Sequence, residues 1–166
     1  MENTLTAGLT SIVVVAADSG DDLGVCVEHS LASSAAVELI VSDNASLDGS
    51  VDAVTTHWAG DARVRIVHHG KNLGFGAGCN RGAAIARGDA LLFLNPDCRI
   101  EVDTLARLRA HMTADPRIGR VGPSIVGTHD APGPASRPRQ PTLRRAAVGS
   151  TCRDRFGVRL RARRAP

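Results

Sequence analysis

Residues 11–16 read SIVVVA, an unbroken run dominated by β-branched side chains. Such a run is typical of a strand that is buried on both faces of a sheet, because an exposed face would require alternating polar residues. A second run of this kind, VELIVS, occupies residues 37–42. The segment between the two runs carries apolar residues at helical spacing. Two buried strands joined by a helix form a βαβ unit, so this part of the sequence predicts a parallel sheet.

The same alternation continues to about residue 126. The predicted strands are residues 11–16, 37–42, 64–67, 90–94 and 120–126, and the predicted helices are residues 23–33, 49–58, 79–86 and 101–114. A Gly-rich loop is predicted over residues 71–78, immediately before the third helix. The predicted fold class is therefore α/β, with a mainly parallel sheet and helices on both of its faces.

The composition indicates an ordinary globular domain. The chain has 166 residues, of which 43 % are apolar and 22 % are charged. Only 2 % are aromatic, which leaves few rings for base stacking and argues against a nucleic-acid partner. No apolar run approaches the roughly 20 residues that span a bilayer, and the acidic start argues against a signal peptide, so we predict a cytoplasmic location. The four cysteines lack metal-site spacing, and we interpret them as buried or incidental thiols.

The charge is divided between two segments. Residues 137–166 contain ten arginines and one acid, a balance of +9, whereas the rest of the chain carries −6. We predict a folded domain over residues 1–127 and a Pro/Arg-rich basic segment, partly disordered, over residues 128–166. Two interpretations of the basic segment stay open: a solvated end, or a surface that binds the inner face of the cell membrane.

Polar residues follow the predicted strands at the points where they end. They are Asp18, then Asp43 and Asn44, then Lys71 and Asn72, and finally Asn95 and Asp97. In a parallel sheet these places meet at one edge, where ligands bind. Three of the four places carry a carboxylate, and converging carboxylates repel one another unless a cation or a hydrogen-bonding ligand lies between them. This pattern indicates a metal with a phosphate, or a polyhydroxy ligand such as a nucleoside sugar.

Other interpretations of these residues are local. Asp and Asn are common in turns because their side chains bond to nearby backbone, and Asp48 suits the N-cap of the helix over residues 49–58. The glycines Gly74, Gly76 and Gly78 lack the spacing and position of a dinucleotide-binding loop. The sequence contains neither a phosphate-binding G-x-x-x-x-G-K-[ST] loop nor a G-x-S-x-G nucleophile elbow, which argues against a P-loop hydrolase and an α/β-hydrolase.

Three motifs, in order, resemble those of the family 2 glycosyltransferases. VSDNASLDGS at residues 41–50 is similar to the signature V-D-N-x-S-x-D-G-S, and NLGFGAGCNRG at residues 72–82 is similar to N-L-G-F-x-x-G-x-N-x-G. LFLNPD at residues 92–97 resembles the F-L-N-P-D form of rhamnosyltransferase-like members. The resemblance covers about residues 12–126, and it is specific because it joins three motifs.

The resemblance implies a GT-A fold, truncated after the donor-binding half, and inverting transfer of a sugar from a nucleotide-diphosphate donor. It implies a dTDP- or UDP-sugar, with rhamnose as the sugar, and a glycan or lipid-linked acceptor in polysaccharide biosynthesis. It further implies that Asp97 holds Mg²⁺ or Mn²⁺. The donor-binding residues implied are Asp18, Asp43, Asn44, Asn72, Gly74, Gly78, Asn80, Asn95 and Asp97.

The sequence departs from the family pattern in two places. Ala16, Ala17 and Asp18 stand where the family has a polar-aromatic triplet, and no acid after Asp97 matches the context of the catalytic base. The catalytic residue is therefore left open, and we expect donor binding with little sugar transfer. A non-catalytic remnant that binds a nucleotide sugar or a partner protein is the alternative function.

Overall fold

The computed structural model describes residues 5–126 and 159–162. The strands are β1 (Thr6–Ala16), β2 (Val37–Asp43), β3 (Val64–His68), β4 (Gly88–Leu94), β5 (Cys98–Ile100), β6 (Ser124–Val126) and β7 (Arg159–Ala162). The helices are α1 (Gly20–Leu31), α2 (Ser50–His57), α3 (Phe75–Ala84) and α4 (Thr104–Ala114). Most of the predicted basic segment lies outside the described residues. No described helix is long and apolar enough to cross a membrane.

Four strands form the main sheet in the order β3-β2-β1-β4, and every pair is parallel. The run SIVVVA lies in β1, which pairs with β2 on one side and with β4 on the other. Alternate side chains of β1 enter two separate apolar clusters, one on each face of the sheet. Helices α1, α2 and α4 contribute to one cluster, and α3 packs against the other face through Gly78 and Gly82. The predicted α/β class, with a parallel sheet and helices on both faces, is confirmed.

The larger cluster lies on the face of β1 that carries Ile12 and Val14. It includes apolar residues of α1, α2 and α4, namely Leu23, Cys26, Val27, Val51, Val54, Leu105 and Leu108. The opposite face carries Val13, which clusters with Ile40 of β2. With few aromatic side chains available, this core is built from aliphatic ones.

Helix α3 lies unusually close to the sheet. A Cβ atom added to Gly82 would lie 2.4 Å from Val13 Cγ1, and one added to Gly78 would lie 2.8 Å from Val15 Cγ1. The prediction of a loop up to residue 78 is therefore wrong in its second half, because α3 begins at Phe75. Gly78 and Gly82 are four residues apart and share one helix face, so these glycines serve helix–sheet contact.

Other elements also differ from the prediction. Helix α4 begins at Thr104 and not at residue 101, so Glu101 and Asp103 precede it, with Asp103 at the N-cap. The predicted fifth strand shortens to β6, which lies in a second sheet of order β5-β7-β6. Strands β5 and β7 were not predicted, because runs of three or four residues are too short to show a periodic pattern.

A buried carboxylate ties the strands together toward their amino-terminal ends. Glu38 of β2 accepts hydrogen bonds from Ser11 Oγ at 2.6 Å and from the backbone N–H of Arg87 at 2.6 Å. It also accepts from the guanidinium groups of Arg87 and Arg65, at 2.9 and 3.2 Å. Burial disfavours the charge, but these donors outweigh it and lower the pKa of Glu38 to about 2. One side chain thus joins β2 to β1, to β3 and to the segment before β4.

We expect Glu38→Gln to destabilise the protein by about 2–4 kcal/mol, because buried donors lose their charged acceptor. The pKa of Glu38 lies below its ordinary value of 4.5. Its contribution is therefore complete above that pH and is lost as the pH falls towards about 2. Urea unfolding of the variant, beside the exposed control Glu28→Gln, measures the difference. Equal stability of the two variants at pH 7 would contradict this role.

Candidate functional site

The carboxyl-terminal ends of β1, β2, β3 and β4 lie along one edge of the main sheet, because all four strands are parallel. Backbone hydrogen bonds continue past the strand ends. The N–H of Asn44 donates to Ala16 O at 2.9 Å, and the N–H of His69 donates to Asp43 O at 3.0 Å. The segments that follow β1, β2 and β3 are therefore fixed side by side, which is where ligands bind in sheets of this type.

Asp18 joins the loop after β1 to the loop after β2. Its backbone N–H donates to Ser46 Oγ at 3.2 Å, and its Oδ1 accepts from the N–H of Leu47 at 2.7 Å. Asp18 has a φ of 49°, a left-handed conformation that Asp tolerates better than most residues. The predicted donor-binding residue is thus exposed at the edge, with one oxygen already bound to the neighbouring loop.

Asp48 connects the start of two helices. Its Oδ2 accepts from the N–H of Gly20 at 2.7 Å, and its Oδ1 accepts from Ser50, from Oγ at 2.6 Å and from N–H at 3.0 Å. These bonds lower the pKa of Asp48, the Ser50 hydroxyl contributing most. The N-cap of α2 is Gly49, at φ 78°, so Asp48, the expected N-cap, lies one residue before the observed cap. A carboxylate shared by two helix N-termini is favoured by both helix dipoles.

Asp43 is buried at the end of β2. Its Oδ1 accepts from the N–H of Ser46 at 2.9 Å, and its Oδ2 lies 2.8 Å from Nδ1 of His68. Burial disfavours the charge, but the bonds from Ser46 and His68 outweigh it, so the pKa of Asp43 lies below its ordinary value. Only 7 % of the Asp43 side chain is exposed, compared with 60 % of the His68 side chain.

Asn44 carries an unpaired acceptor. The residue is buried, and its Oδ1 has no hydrogen-bond partner among the described residues. A buried carbonyl oxygen without a donor costs about 1–3 kcal/mol. A ligand N–H or O–H that reached this oxygen would recover that cost.

His69 and Ser42 link the sheet to α3. The Ser42 hydroxyl donates to Gly78 O at 2.7 Å, and Ser42 Oγ lies 2.7 Å from His69 Nε2. Because the single hydroxyl proton points to a carbonyl, His69 Nε2 carries a proton and donates to Ser42. Gly78, which was predicted to bind the donor, is buried on the side of α3 that faces the sheet, and it contributes its carbonyl to this link.

Residues before and within α3 complete one side of the edge. Asn72 Oδ1 accepts from the N–H of Gly74 at 2.8 Å. Gly74 has φ 81° and ψ 162°, a conformation almost restricted to glycine, and it precedes the first residue of α3. Asn80 is exposed on α3.

Asn95 and Asp97 form the turn after β4. Two groups donate to Asn95 O: the N–H of Cys98 at 3.0 Å and the thiol of Cys26 at 3.6 Å. The Cys98 thiol donates weakly to Asp97 Oδ1 at 3.7 Å. Burial raises the pKa of Cys98 to about 11 and that of Cys26 to about 12, so both thiols remain protonated donors. The cysteines within the described residues are buried and free, whereas Cys152 lies outside them.

Asp97 is exposed, and among the described residues its carboxylate accepts only a weak thiol hydrogen bond, whereas those of Asp18, Asp43 and Asp48 accept backbone N–H groups. No hydrogen bond or ion pair within residues 5–126 joins it to Asp18 or Asp43. No group of three or more His, Cys, Asp or Glu in the described chain could hold a metal. Asp97 nevertheless fits Mg²⁺ or Mn²⁺, because such cations in phosphate sites take one or two carboxylates and complete their shell with phosphates and water.

The histidines at the end of β3 were missed by the sequence analysis, which considered Lys71 and Asn72 there. The available signal was two consecutive histidines directly after an apolar run. A groove of about 600 Å³ between α1 and α2 is lined by residues such as Gly24, Asp48 and Trp58. None of the predicted donor-binding residues lines it, so the edge of the sheet is the better candidate site.

Comparison with curated proteins gives two relatives. The chain is 30 % identical to the glycosyltransferase GlyG of Streptococcus pneumoniae over 115 residues, which are 67 % of this chain and 38 % of GlyG. It is 34 % identical to the putative glycosyltransferase EpsH of Bacillus subtilis over 67 residues, 40 % of this chain and 19 % of EpsH. The chain thus spans well under half the length of these relatives.

Solved structures share the fold at low identity. The TarS fragment 1–349 of S. aureus, in complex with UDP-GlcNAc, matches with a TM-score of 0.61 and 18 % identity over 75 % of this chain and 36 % of the fragment. The mannosyltransferase PcManGT of Pyrobaculum calidifontis, in complex with GDP-Man and Mn²⁺, matches with a TM-score of 0.61 and 21 % identity. That match covers 72 % of this chain and 35 % of PcManGT. One neighbour is a mannosyltransferase and the other holds a nucleotide sugar, which agrees with the implied GT-A fold.

A family model gives the widest match. The model for glycosyl transferase family 2 matches residues 11–157, which contain the three motifs and the whole edge described above. With strand order, motif positions and family model in agreement, the chain belongs to glycosyl transferase family 2.

Proposed function

We propose that this chain binds a nucleotide-diphosphate sugar at the carboxyl-terminal edge of its main sheet. In this proposal it supplies the donor side of an inverting transfer to a glycan or lipid-linked acceptor in polysaccharide biosynthesis. The observation that carries the proposal is the unpaired Oδ1 of buried Asn44, which lies directly beside Asp43. An unsatisfied acceptor at a strand end favours a ligand with hydroxyl or N–H groups, and a nucleoside has both. UDP-GlcNAc bound to TarS and GDP-Man bound to PcManGT support this class of donor.

The edge has a nucleoside side and a phosphate side in this proposal. Asp43, Asn44 and Asp18 form the nucleoside side, where the loops after β1 and β2 are held together. Asn72, Gly74, Gly78 and Asn80 shape the donor pocket through the start of α3. Asn95 and Asp97 form the phosphate side, in the turn after β4.

Asp97 would hold the divalent cation, with Asn95 as a neutral neighbour. A bound Mg²⁺ or Mn²⁺ supplies positive charge to the diphosphate leaving group. PcManGT with Mn²⁺ supports this assignment. The protein's own contribution is to keep one carboxylate exposed, in a turn fixed by bonds from Cys26 and Cys98 to Asn95.

Rhamnose is the first donor sugar to test, because residues 95–97 read N-P-D. The excess of arginine over residues 137–166 supports peripheral attachment to the anionic inner face of the cell membrane.

A second candidate function, nucleotide-sugar binding without transfer, is favoured by one observation. Asp103 and Asp115, two of the described acids after Asp97, each pair with an arginine, at 3.5 and 2.7 Å. The pair lowers the pKa of Asp115, which makes this carboxylate a poorer base. Glu101, the third, lies three residues before the first residue of α4.

We expect Asp97→Ala to abolish the Mn²⁺-dependent tightening of UDP binding. Loss of one such electrostatic group also costs about 10²–10³ in any transfer rate. Isothermal titration calorimetry with and without Mn²⁺ measures the effect, and Glu101→Ala, which removes an exposed carboxylate four residues away, is the matched control. Mn²⁺-dependent tightening that survives in Asp97→Ala would show that Asp97 is not the ligand.

We expect the affinity of the chain for UDP and for dTDP to exceed its affinity for ADP by about tenfold or more. Uracil and thymine present an imide N–H to the acceptors on the nucleoside side, whereas adenine presents a ring nitrogen without a proton. Acceptors left unpaired by adenine are costly. Calorimetry of the three nucleotides under one buffer condition makes the comparison. ADP binding as tight as UDP binding would refute the assignment of Asp43 and Asn44 but not the fold.

Turnover by these 166 residues should be weak even where donor binding is clear. The absence of general-base help costs about 10²–10⁴ in rate, because an alcohol is a poor nucleophile until it loses its proton. Product formation from radiolabelled dTDP-rhamnose and UDP-sugars, with Mn²⁺ and mixed lipid-linked or polysaccharide acceptors, tests this. Robust multiple turnover would rule out the second candidate function and require a base, with Asp130 the first residue to substitute.

A further inference from the structure

We propose that His68, held by the carboxylate of Asp43, is the residue that contacts the nucleobase of the donor and selects for a base with a ring N–H. This inference rests on the proposed function and makes it more specific. It assigns Asp43 the part of a positioning residue that acts through the imidazole.

The exposure of the His68 and Asp43 side chains supports a direct contact of the base with His68 and an indirect role for Asp43. Asp43 is almost closed off, with 7 % of its side chain exposed and each oxygen engaged, one by Ser46 N–H and one by His68. His68 is the last residue of β3, and 60 % of its side chain is exposed. A nucleobase that approaches this edge from solvent therefore meets the imidazole before it meets the carboxylate.

The hydrogen bond fixes which atom of the ring faces outward. A carboxylate with a pKa below its ordinary value is ionised at neutral pH and only accepts hydrogen bonds. Nδ1 of His68 therefore carries the proton that lies in the 2.8 Å contact with Asp43. In the neutral imidazole this leaves Nε2 as an acceptor.

The backbone beneath the imidazole is also held firmly. The backbone N–H of His69, the next residue, donates to Asp43 O at 3.0 Å, and Nε2 of the His69 side chain lies 2.7 Å from Ser42 Oγ. Ser42 in turn donates to Gly78 O of α3. The position of His68 is thus fixed by its own ring and by the residue that follows it, which limits the entropy lost when a ligand binds.

An outward acceptor of this kind distinguishes bases by their edges. The imide N–H of uracil or thymine can donate to Nε2, whereas adenine places an unprotonated nitrogen at the corresponding position. Two facing acceptors leave both groups unpaired, which is the strongest basis for discrimination between ligands of similar shape.

The test compares two substitutions of His68 that introduce the same amide group on side chains of different length. His68→Asn keeps a short amide that can donate to Asp43 but does not reach the position of Nε2. His68→Gln extends to that position and can place an oxygen or an amide there. We expect UDP to bind His68→Asn about 10- to 100-fold more weakly than the unmodified chain, with unchanged thermal unfolding, and His68→Gln to recover part of the loss. The control is His57→Asn, an exposed histidine at the end of α2.

A second measurement does not depend on nucleotide. Long-range ¹H–¹⁵N spectra of the full chain should show His68 protonated at Nδ1, and Asp43→Asn should weaken that preference. UDP binding by His68→Asn equal to that of the unmodified chain overturns this inference and leaves the proposed function standing. A chain that binds neither UDP nor dTDP overturns both, and an Nε2-protonated His68 overturns the assignment of the acceptor.

Discussion

The burial of β1 on all four sides from Thr10 to Ala16 is the constraint on which the rest of the structure depends. This strand is hydrogen-bonded to β2 on one edge and to β4 on the other, and helices cover both of its faces. Every side chain from Ser11 to Ala16 is therefore buried. The one hydroxyl group in this stretch, that of Ser11, donates a hydrogen bond to Glu38. A strand in this position has no room for polar function along its length. Chemistry is confined to the point where it ends, and the parallel neighbours end at the same edge.

The carboxylates at that edge are stabilised in different ways. The Asp18 carboxylate accepts a hydrogen bond from one backbone N–H, and that of Asp43 accepts from one backbone N–H and an imidazole N–H. The Asp48 carboxylate accepts from backbone N–H groups at the N-termini of two helices. Hydrogen-bond donors of the protein itself thus stabilise these charges, which were expected to repel one another. Uncompensated negative charge then remains chiefly on Asp97, whose only described side-chain donor is a weak thiol.

The elements that the sequence predicted correctly are those with a strong local pattern. The strands β1 to β4 were predicted because each is an apolar run bounded by turn residues, and the motifs at residues 41–50, 72–82 and 92–97 indicated the family. The start of α3 was missed because glycine is the signal for a loop, whereas Gly78 and Gly82 act here by their small size against Val13 and Val15. His68 was missed for a different reason. The paired histidines were visible, but the contact of His68 with Asp43, 25 residues earlier in the chain, was not, because no local pattern reports such a contact.

The two halves of the edge differ in how far they are organised before any ligand arrives. On the nucleoside side, Asp18, Asp43 and His68 are held by bonds between the loops and strand ends after β1, β2 and β3. A rigid side of this kind loses little entropy on binding, and it can discriminate between bases because an unsuitable one leaves fixed groups unpaired. On the phosphate side, the turn is fixed through Asn95 while Asp97 stays exposed. This arrangement suits a hard cation, which selects its ligand by charge and takes the remaining oxygens from the diphosphate and water. In the proposed donor site, base recognition would therefore depend on the preformed network, whereas metal binding would need little more than one accessible carboxylate at the end of β4.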